Sequence, residues 1–327
     1  MRTFRGCVLR NLLAAAVVLS ASVTALAQSY PNRPIRIVVG FAPGGTADVV
    51  ARIFATRLPE TLGQQVFIEN KAGAGGTIAH AIAAQAPADG YTYVLATNST
   101  FAIAPHLYRS LPYEEKALVS VALVTSSGMA LCVHPSVPAR SVAELITLAK
   151  SQPGALNFAT AGLGATSHLA TELFMSMADV RMSHVPYRAG SQAVQAVVAG
   201  DVQLAFVDVH VAQSLMTAGR VRILGVTSLA RNPLTPDIPT VSESGLSGFE
   251  MATTTGLFAP AGVAPDIVRR MEKDVVAVLQ RPEVADQYTK LSFDVLAKGQ
   301  TALDAHVQSE SAKWGKVIRE RGIKITQ

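Results

Sequence analysis

A chain of 327 residues with 28 Lys and Arg, 23 Asp and Glu and 49% hydrophobic residues is long enough for two domains of ordinary size with α/β interiors. Its basic excess does not gather into a patch interleaved with aromatics, which argues against nucleic-acid binding. Two cysteines exclude a disulfide framework, and the seven histidines are scattered without metal-ligand spacing, so neither a metal nor a cofactor is expected.

The chain opens with Arg2, Arg5 and Arg10, an apolar stretch over 12–19 and the small-x-small triplet Ala25-Leu26-Ala27. This is the pattern of a secretory signal peptide cut after Ala27. The apolar stretch falls short of the roughly 20 residues that a membrane span needs. Cys7 precedes that stretch and is not a lipoprotein cysteine, so Cys132 is the lone cysteine of the mature chain, suited to a buried apolar role. Without the three arginines, 25 basic residues face 23 acidic ones, so the mature chain is close to neutral.

Beyond residue 30, strand-like and helix-like segments alternate. Apolar runs predict strands over 35–41, 65–69, 91–97, 119–125, 130–134, 156–159, 182–186, 203–207, 221–226 and 256–260. Helical spacing is found in the stretch carrying Val49, Val50, Ile53, Phe54 and Leu58, and over 141–150, where Ser141 and Glu144 form a capping box. It recurs over 165–177, over 191–199 up to Gly200, from Pro265 to Leu279, and from Thr301 to Val317. Trp314 lies at helical spacing and reads as a packing residue. Strand–helix alternation implies parallel sheets covered by helices, with ligands beyond the C-terminal strand ends. No low-complexity linker interrupts the chain, so two domains would be joined by ordered strands.

Glycine-rich turns mark the candidate site. Phe41-Ala42-Pro43-Gly44-Gly45-Thr46-Ala47-Asp48 joins a strand to a helix, with Thr46 suited to the N-cap. Backbone N–H groups and the helix dipole make such a turn an anion site, and the missing Gly-Lys-Ser/Thr ending favours a small carboxylate over a nucleotide triphosphate. Thr160-Ala161-Gly162-Leu163-Gly164-Ala165-Thr166-Ser167-His168 repeats that grammar. Thr97-Asn98-Ser99-Thr100 ends another strand, where Ser99 and Thr100 suit either ligand contact or helix capping. Gly73-Ala74-Gly75-Gly76-Thr77 is a fourth turn, fit for a rim loop or a tight connection. Asp208 ends the strand over 203–207, where it could meet a ligand amine or hydroxyl or hold a loop. Asp48, early in its helix, would repel an anion, so its contact with a ligand is expected to be indirect. Nucleophile-elbow and zinc-protease motifs are absent, which lowers the expectation of an enzyme.

Several co-linear stretches resemble the Bug receptors, the periplasmic solute receptors of tripartite tricarboxylate transporters. They include Tyr30-Pro31-Asn32-Arg33-Pro34-Ile35, the Phe41–Asp48 turn, Glu69-Asn70-Lys71-Ala72-Gly73-Ala74-Gly75-Gly76, Ala88-Asp89-Gly90-Tyr91 and Ser167-His168-Leu169-Ala170. His184-Val185-Pro186-Tyr187, Pro239-Thr240-Val241, Leu257-Phe258-Ala259-Pro260-Ala261-Gly262 and Lys313-Trp314-Gly315-Lys316-Val317-Ile318 complete the set. The resemblance implies an α/β clamshell of mixed, mostly parallel sheets flanked by helices, in the periplasm, closing on a small organic acid. Expected boundaries are 28–127 with 254–327 for one lobe and 128–253 for the other. Carried over residue by residue, ligand contacts fall on Phe41, Gly44, Gly45 and Thr46 in one loop. They fall on Ala161, Gly164, Thr166 and Ser167 in the facing loop, with Ser99 and Thr100 nearby and Asp48 and Asp208 added. Expected partners are a mono- or dicarboxylate or an amino acid, and transporter subunits or a sensor kinase; a monomer is expected. A secreted enzyme using Ser167 or Asp208 is the alternative from another class. Many members of the family carry Phe-Asp-Asn where this chain has Phe206-Val207-Asp208, often an aromatic at Thr254 and often Asn at Leu163. Gly40, Leu163, Val207 and Thr254 are therefore candidate specificity positions.

Overall fold

The computed structural model of the protein describes residues 30–323, so the signal-peptide reading lies outside the described residues. Its elements are, in order, β1 (Ile35–Val39), α1 (Thr46–Ala55), α2 (Pro59–Leu62), β2 (Val66–Asn70), α3 (Thr77–Ala84) and β3 (Thr92–Thr97). A wide π turn (Ser99–Ile103) leads to α4 (Ala104–Leu107) and the long β4 (Leu118–Val133). There follow α5 (Val142–Ser151), β5 (Asn157–Thr160), α6 (Thr166–Ala178), β6 (Ser183–Pro186), α7 (Gly190–Ala199), β7 (Leu204–Asp208), α8 (Val209–Thr217) and β8 (Arg222–Val226). The chain ends with β9 (Ala252–Pro260), α9 (Pro265–Leu279), α10 (Pro282–Lys290), β10 (Asp294–Gly299) and α11 (Gln300–Arg321).

The strands form two sheets that share one strand. In the first, β1 lies between β2 and β3, all parallel; β9 runs antiparallel beside β3, and β4 antiparallel beside β9. In the second, β5 lies parallel between β6 and β7, and β7 pairs antiparallel with β4. The βα units thus build the outer, parallel parts, as strand–helix alternation requires, while the middle is antiparallel.

The sequence predicts two strands where β4 is one. Thr125-Ser126-Ser127-Gly128 has the composition of a turn, yet Ser126, Ser127 and Gly128 pair with Thr254, Thr253 and Ala252 of β9. Ladder partners from a distant segment override the local turn preference. Beyond Gly128 the same strand leaves β9 and takes β7 and β8 as neighbours. The elements α2, α8, α10 and β10 are also absent from the predicted set.

One apolar cluster runs beneath both sheets, from Val38, Val94, Phe101, Leu303 and Trp314 to Leu131, Phe158, Phe174 and Phe206. Opposite it, each sheet has its own cluster: Ile37, Phe54, Met271 and Tyr288 on the first, and Ala159, Val194, Val197 and Val226 on the second. Trp314 is buried and donates from Nε1 to Glu310 Oε2 at 3.2 Å, the packing role expected of it. Cys132 is likewise buried, and burial pushes its thiol pKa up.

The chain passes between the sheets along β4, and again in the connection from β8 to β9. Thr227 ties the two passages together. Its N–H donates to Met129 O at 2.9 Å, and its Oγ1 accepts from Met129 N at 2.8 Å. Its carbonyl accepts from Met251 N at 3.0 Å, and its Oγ1 donates to Met251 O. Thr227 is fully buried, so these groups have no water to fall back on. Thr227→Val, which keeps the shape, should lower unfolding free energy by about 1–3 kcal/mol for each backbone group left unpaired, read from urea midpoints. Thr227→Ser should stay close to the parent; equal losses in the two variants would refute the hydroxyl's role.

Candidate functional site

Three helices begin at one cleft. The N-caps of α1, α6 and α7 are Gly45, Ala165 and Ala189, and none supplies a side-chain cap hydrogen bond. The first N–H groups of a helix have no acceptor inside it, and a Gly or Ala cap leaves them free. Gly45–Ala47, Ala165–Ser167 and Ala189–Ser191 all line the same cleft, which encloses about 580 Å³ of empty space including its open mouth. Its wall is completed by Phe41, Thr97, Met129, Ala161, Phe206, Val207, Asp208, Val211 and Thr253, which come from both sheets and the connections at their strand ends. Among the described residues, this wall contains no lysine, arginine or histidine. Groups on this wall that could attract an anion are therefore backbone dipoles and hydroxyl donors.

Asp208 is the one charged side chain of that wall. It closes β7 and is the N-cap residue of α8, but it makes no capping bond there. Instead Thr46 Oγ1 donates to its Oδ2 from across the cleft, and Thr253 Oγ1 donates to its Oδ1 at 3.2 Å. The carboxylate thus links the first turn of α1, the start of β9 and the end of β7.

The loops that present these helices are braced from behind. Gly44 N donates to Asp48 Oδ2 at 2.9 Å; Arg52 Nε and Asn70 Nδ2 donate to the same carboxylate, and Asn70 Nδ2 also reaches Phe41 O at 3.0 Å. Burial alone pushes the Asp48 carboxyl upward, but the bonds from Arg52, Gly44 and Asn70 together hold it below its ordinary range. In the second loop Ala161 N donates to Ser167 Oγ at 3.0 Å, and Gly164 N to His168 Nδ1 at 3.4 Å. Thr160 Oγ1 meets His184 Nε2 at 2.6 Å, and the His168 and His184 rings stack at 4.5 Å.

Of the residues singled out in the sequence, Phe41, Gly45, Thr46, Ala161, Thr166, Ser167 and Asp208 line the cleft. Gly44 and Asp48 lie outside the wall, bonded to one another. Ser99 and Thr100 also lie outside this wall: Ser99 Oγ pairs with Thr97 Oγ1 at 2.7 Å, and Thr100 Oγ1 donates to Gly75 O at 2.8 Å. The chain turns away into the π turn after β3, so Thr97 is the residue left at the wall. Gly164, with φ +74°, faces Tyr108; a Cβ there would lie 2.7 Å from its Oη. Thr46 is the first helical residue rather than the N-cap, which frees its hydroxyl for Asp208. Thr254 turns to His306 Nε2 at 2.9 Å, while Val207 lines the cleft. The start of α7, like Met129, Phe206, Val211 and Thr253, is missing from the predicted set. Its signal is present in Ala189-Gly190-Ser191, which follows a strand and opens a helix like the other two turns.

Residues 50–323 match the tripartite tricarboxylate transporter family receptor, TctC. The chain belongs to the TctC receptor family. Its structure is similar to that of Rpa4515 from R. palustris with adipate (33% identity, TM-score 0.87, 90% of this chain and 99% of the other). It is also similar to the periplasmic binding protein BugD (33% identity, TM-score 0.86, 90% and 99%). A third likeness is MatC from Rhodopseudomonas palustris with bound malate (32% identity, TM-score 0.84, 88% and 100%). The α/β architecture expected from the resemblance is that of these binding proteins, and the family is one of receptors rather than enzymes.

Imidazole pKa values are lowered at buried His80 and half-buried His184, and also at His210 and His306, which should make the stability of this TctC receptor sensitive to acid. Burial holds His80 down to about 3; its ring packs between Tyr113 and Phe258, and its Nδ1 has no partner. Burial, reinforced by the stacked His168, holds His184 down to about 4. Unfolding frees both rings to titrate near their ordinary value of about 6.5, so the unfolded chain binds more protons below that pH. The melting temperature should therefore hold above about pH 7 and fall as pH drops from about 6.5 towards 4. His80→Gln should flatten that decline in calorimetric scans, and an unchanged slope would contradict the assignment.

Proposed function

We propose that the protein is a periplasmic receptor, released by cleavage after Ala27, that captures a small organic carboxylate and delivers it to the membrane subunits of a tripartite tricarboxylate-type transporter. It acts as a monomer of two lobes, 28–127 with 254–327 and 128–253, which close on the ligand. The observation that carries this reading is the meeting of three uncapped helix N-termini in a cleft without a cationic side chain. N–H groups of this kind stabilise a carboxylate through charge-assisted hydrogen bonds and fixed dipoles. They do so without burying a full countercharge, whose desolvation can cancel its attraction. Closure excludes water from the cleft and strengthens each of those bonds. A closed state favoured by the ligand is what a transporter needs in order to tell loaded from empty receptor. The adipate and malate found with Rpa4515 and MatC support an acid ligand.

Asp208 sets a second condition. Its carboxylate repels another acid group nearby and accepts from a hydroxyl or an ammonium. Thr46 and Thr253 hold it on the wall where such a donor would sit.

Thermal shift of the mature protein against mono- and dicarboxylates, hydroxy acids and amino acids tests the reading. A cognate acid at a hundred times its Kd should add about 2.7 kcal/mol of stability. No stabilisation by any acid of the panel would overturn it. Thr166→Pro isolates the backbone donor, because proline is tolerated at the first helical position and Ala165 before it is already extended. It should weaken binding of the cognate acid about tenfold or more, and further than Thr166→Val, which keeps the N–H.

A further inference from the structure

Beside the main cleft lies a second chamber of opposite character. It encloses about 970 Å³ of empty space, open to solvent, and Gly40, Gly73, Leu163, Tyr187 and Arg188 are among its walls. Phe41 and Ala161 belong to both chambers, so the two adjoin across them. Among the described residues, the side chamber has no acidic wall residue and the main cleft no basic one. The cation of the side chamber is Arg188. Its backbone N–H donates to Gln192 Oε1 at 3.1 Å, which anchors the main chain at the start of α7. Its guanidinium is exposed and enters no ion pair among the described residues. The nearby Lys71 is already paired with Glu69 at 2.8 Å.

We infer that the side chamber is a subsite for a second anionic group of the ligand, with Arg188 as the residue that selects for it. This rests on the reading of the main cleft as a carboxylate site. The main cleft takes one acid group on its helix N-termini, and Asp208 keeps a second one away. A diacid must therefore project its far end past Phe41 and Ala161, where a planar guanidinium can meet it in a two-point contact. Selection then falls on ligand length and on the presence of a far acid group. Gly40 and Leu163, in the same chamber, would tune the fit.

Isothermal titration with matched pairs of linear acids, from succinate and butyrate to pimelate and heptanoate, tests the inference on the parent, Arg188→Gln and Arg188→Lys. In the parent, at least one diacid should bind tenfold or more tighter than the monoacid of equal length, and added salt should reduce that advantage. Arg188→Gln should remove the advantage while leaving monoacid affinity within twofold, and Arg188→Lys should restore part of it. Equal binding of diacids and monoacids by the parent would overturn the subsite and leave the main cleft intact. So would a diacid affinity unchanged in Arg188→Gln, or an equal loss for both acids. Binding of none of these acids by the parent would overturn the subsite, and the reading of the cleft would then stand or fall on the wider thermal-shift panel of hydroxy acids and amino acids.

Discussion

The structure depends on backbone N–H groups that the fold leaves without partners. A side-chain acceptor can close a helix start, as Ser141 closes α5 by accepting from Glu144 N at 3.2 Å; most other described helices of this chain lack such a bond, and what sets α1, α6 and α7 apart is the cleft they share. At α1, α6 and α7 that acceptor is missing, and glycine or alanine stands in its place. Those three helices start at one cleft and come from both sheets. Under the proposed function, an acid group there would complete three caps at once, which would tie its binding to the relative position of the two sheets.

The sheets are arranged to make that position matter. β4 belongs to both, and the connection from β8 to β9 crosses between them again, with Thr227 holding both passages in register. Both passages lie close to the cleft: Met129 lines it, and Thr253, just beyond the second passage, donates to Asp208. A change in the angle between the sheets would therefore be felt first at the groups proposed to meet the ligand. Behind the loops, Asp48, Asn70, Thr160 and the stacked histidines hold the glycine turns in shape, so the donors are preorganised rather than assembled on binding.

Much of this was legible in the residues. The glycine turns after β1 and β5 mark helix starts, which the structure brings to one cleft, and the apolar spacing of α1, α6, α9 and α11 marks the helices that cover the sheets. The errors share a cause. Thr125-Ser126-Ser127-Gly128 has the local chemistry of a turn, and its partner in β9 lies more than a hundred positions away, beyond the reach of periodicity. Hydroxyls after the end of β3 suit either ligand contact or capping, and which of them reaches the cleft wall depends on the π turn, which composition does not encode. The Thr46–Asp208 contact joins residues from separate turns, and only the tertiary structure brings them together.

The most direct test of the three-helix grip is amide NMR on the labelled mature protein, titrated with an acid that it binds. The account predicts that the N–H resonances of Thr46 and Ala47, Thr166 and Ser167, and Gly190 and Ser191 shift together along a single saturation curve. Shifts confined to one of these helix starts, or lying wholly elsewhere, would contradict it.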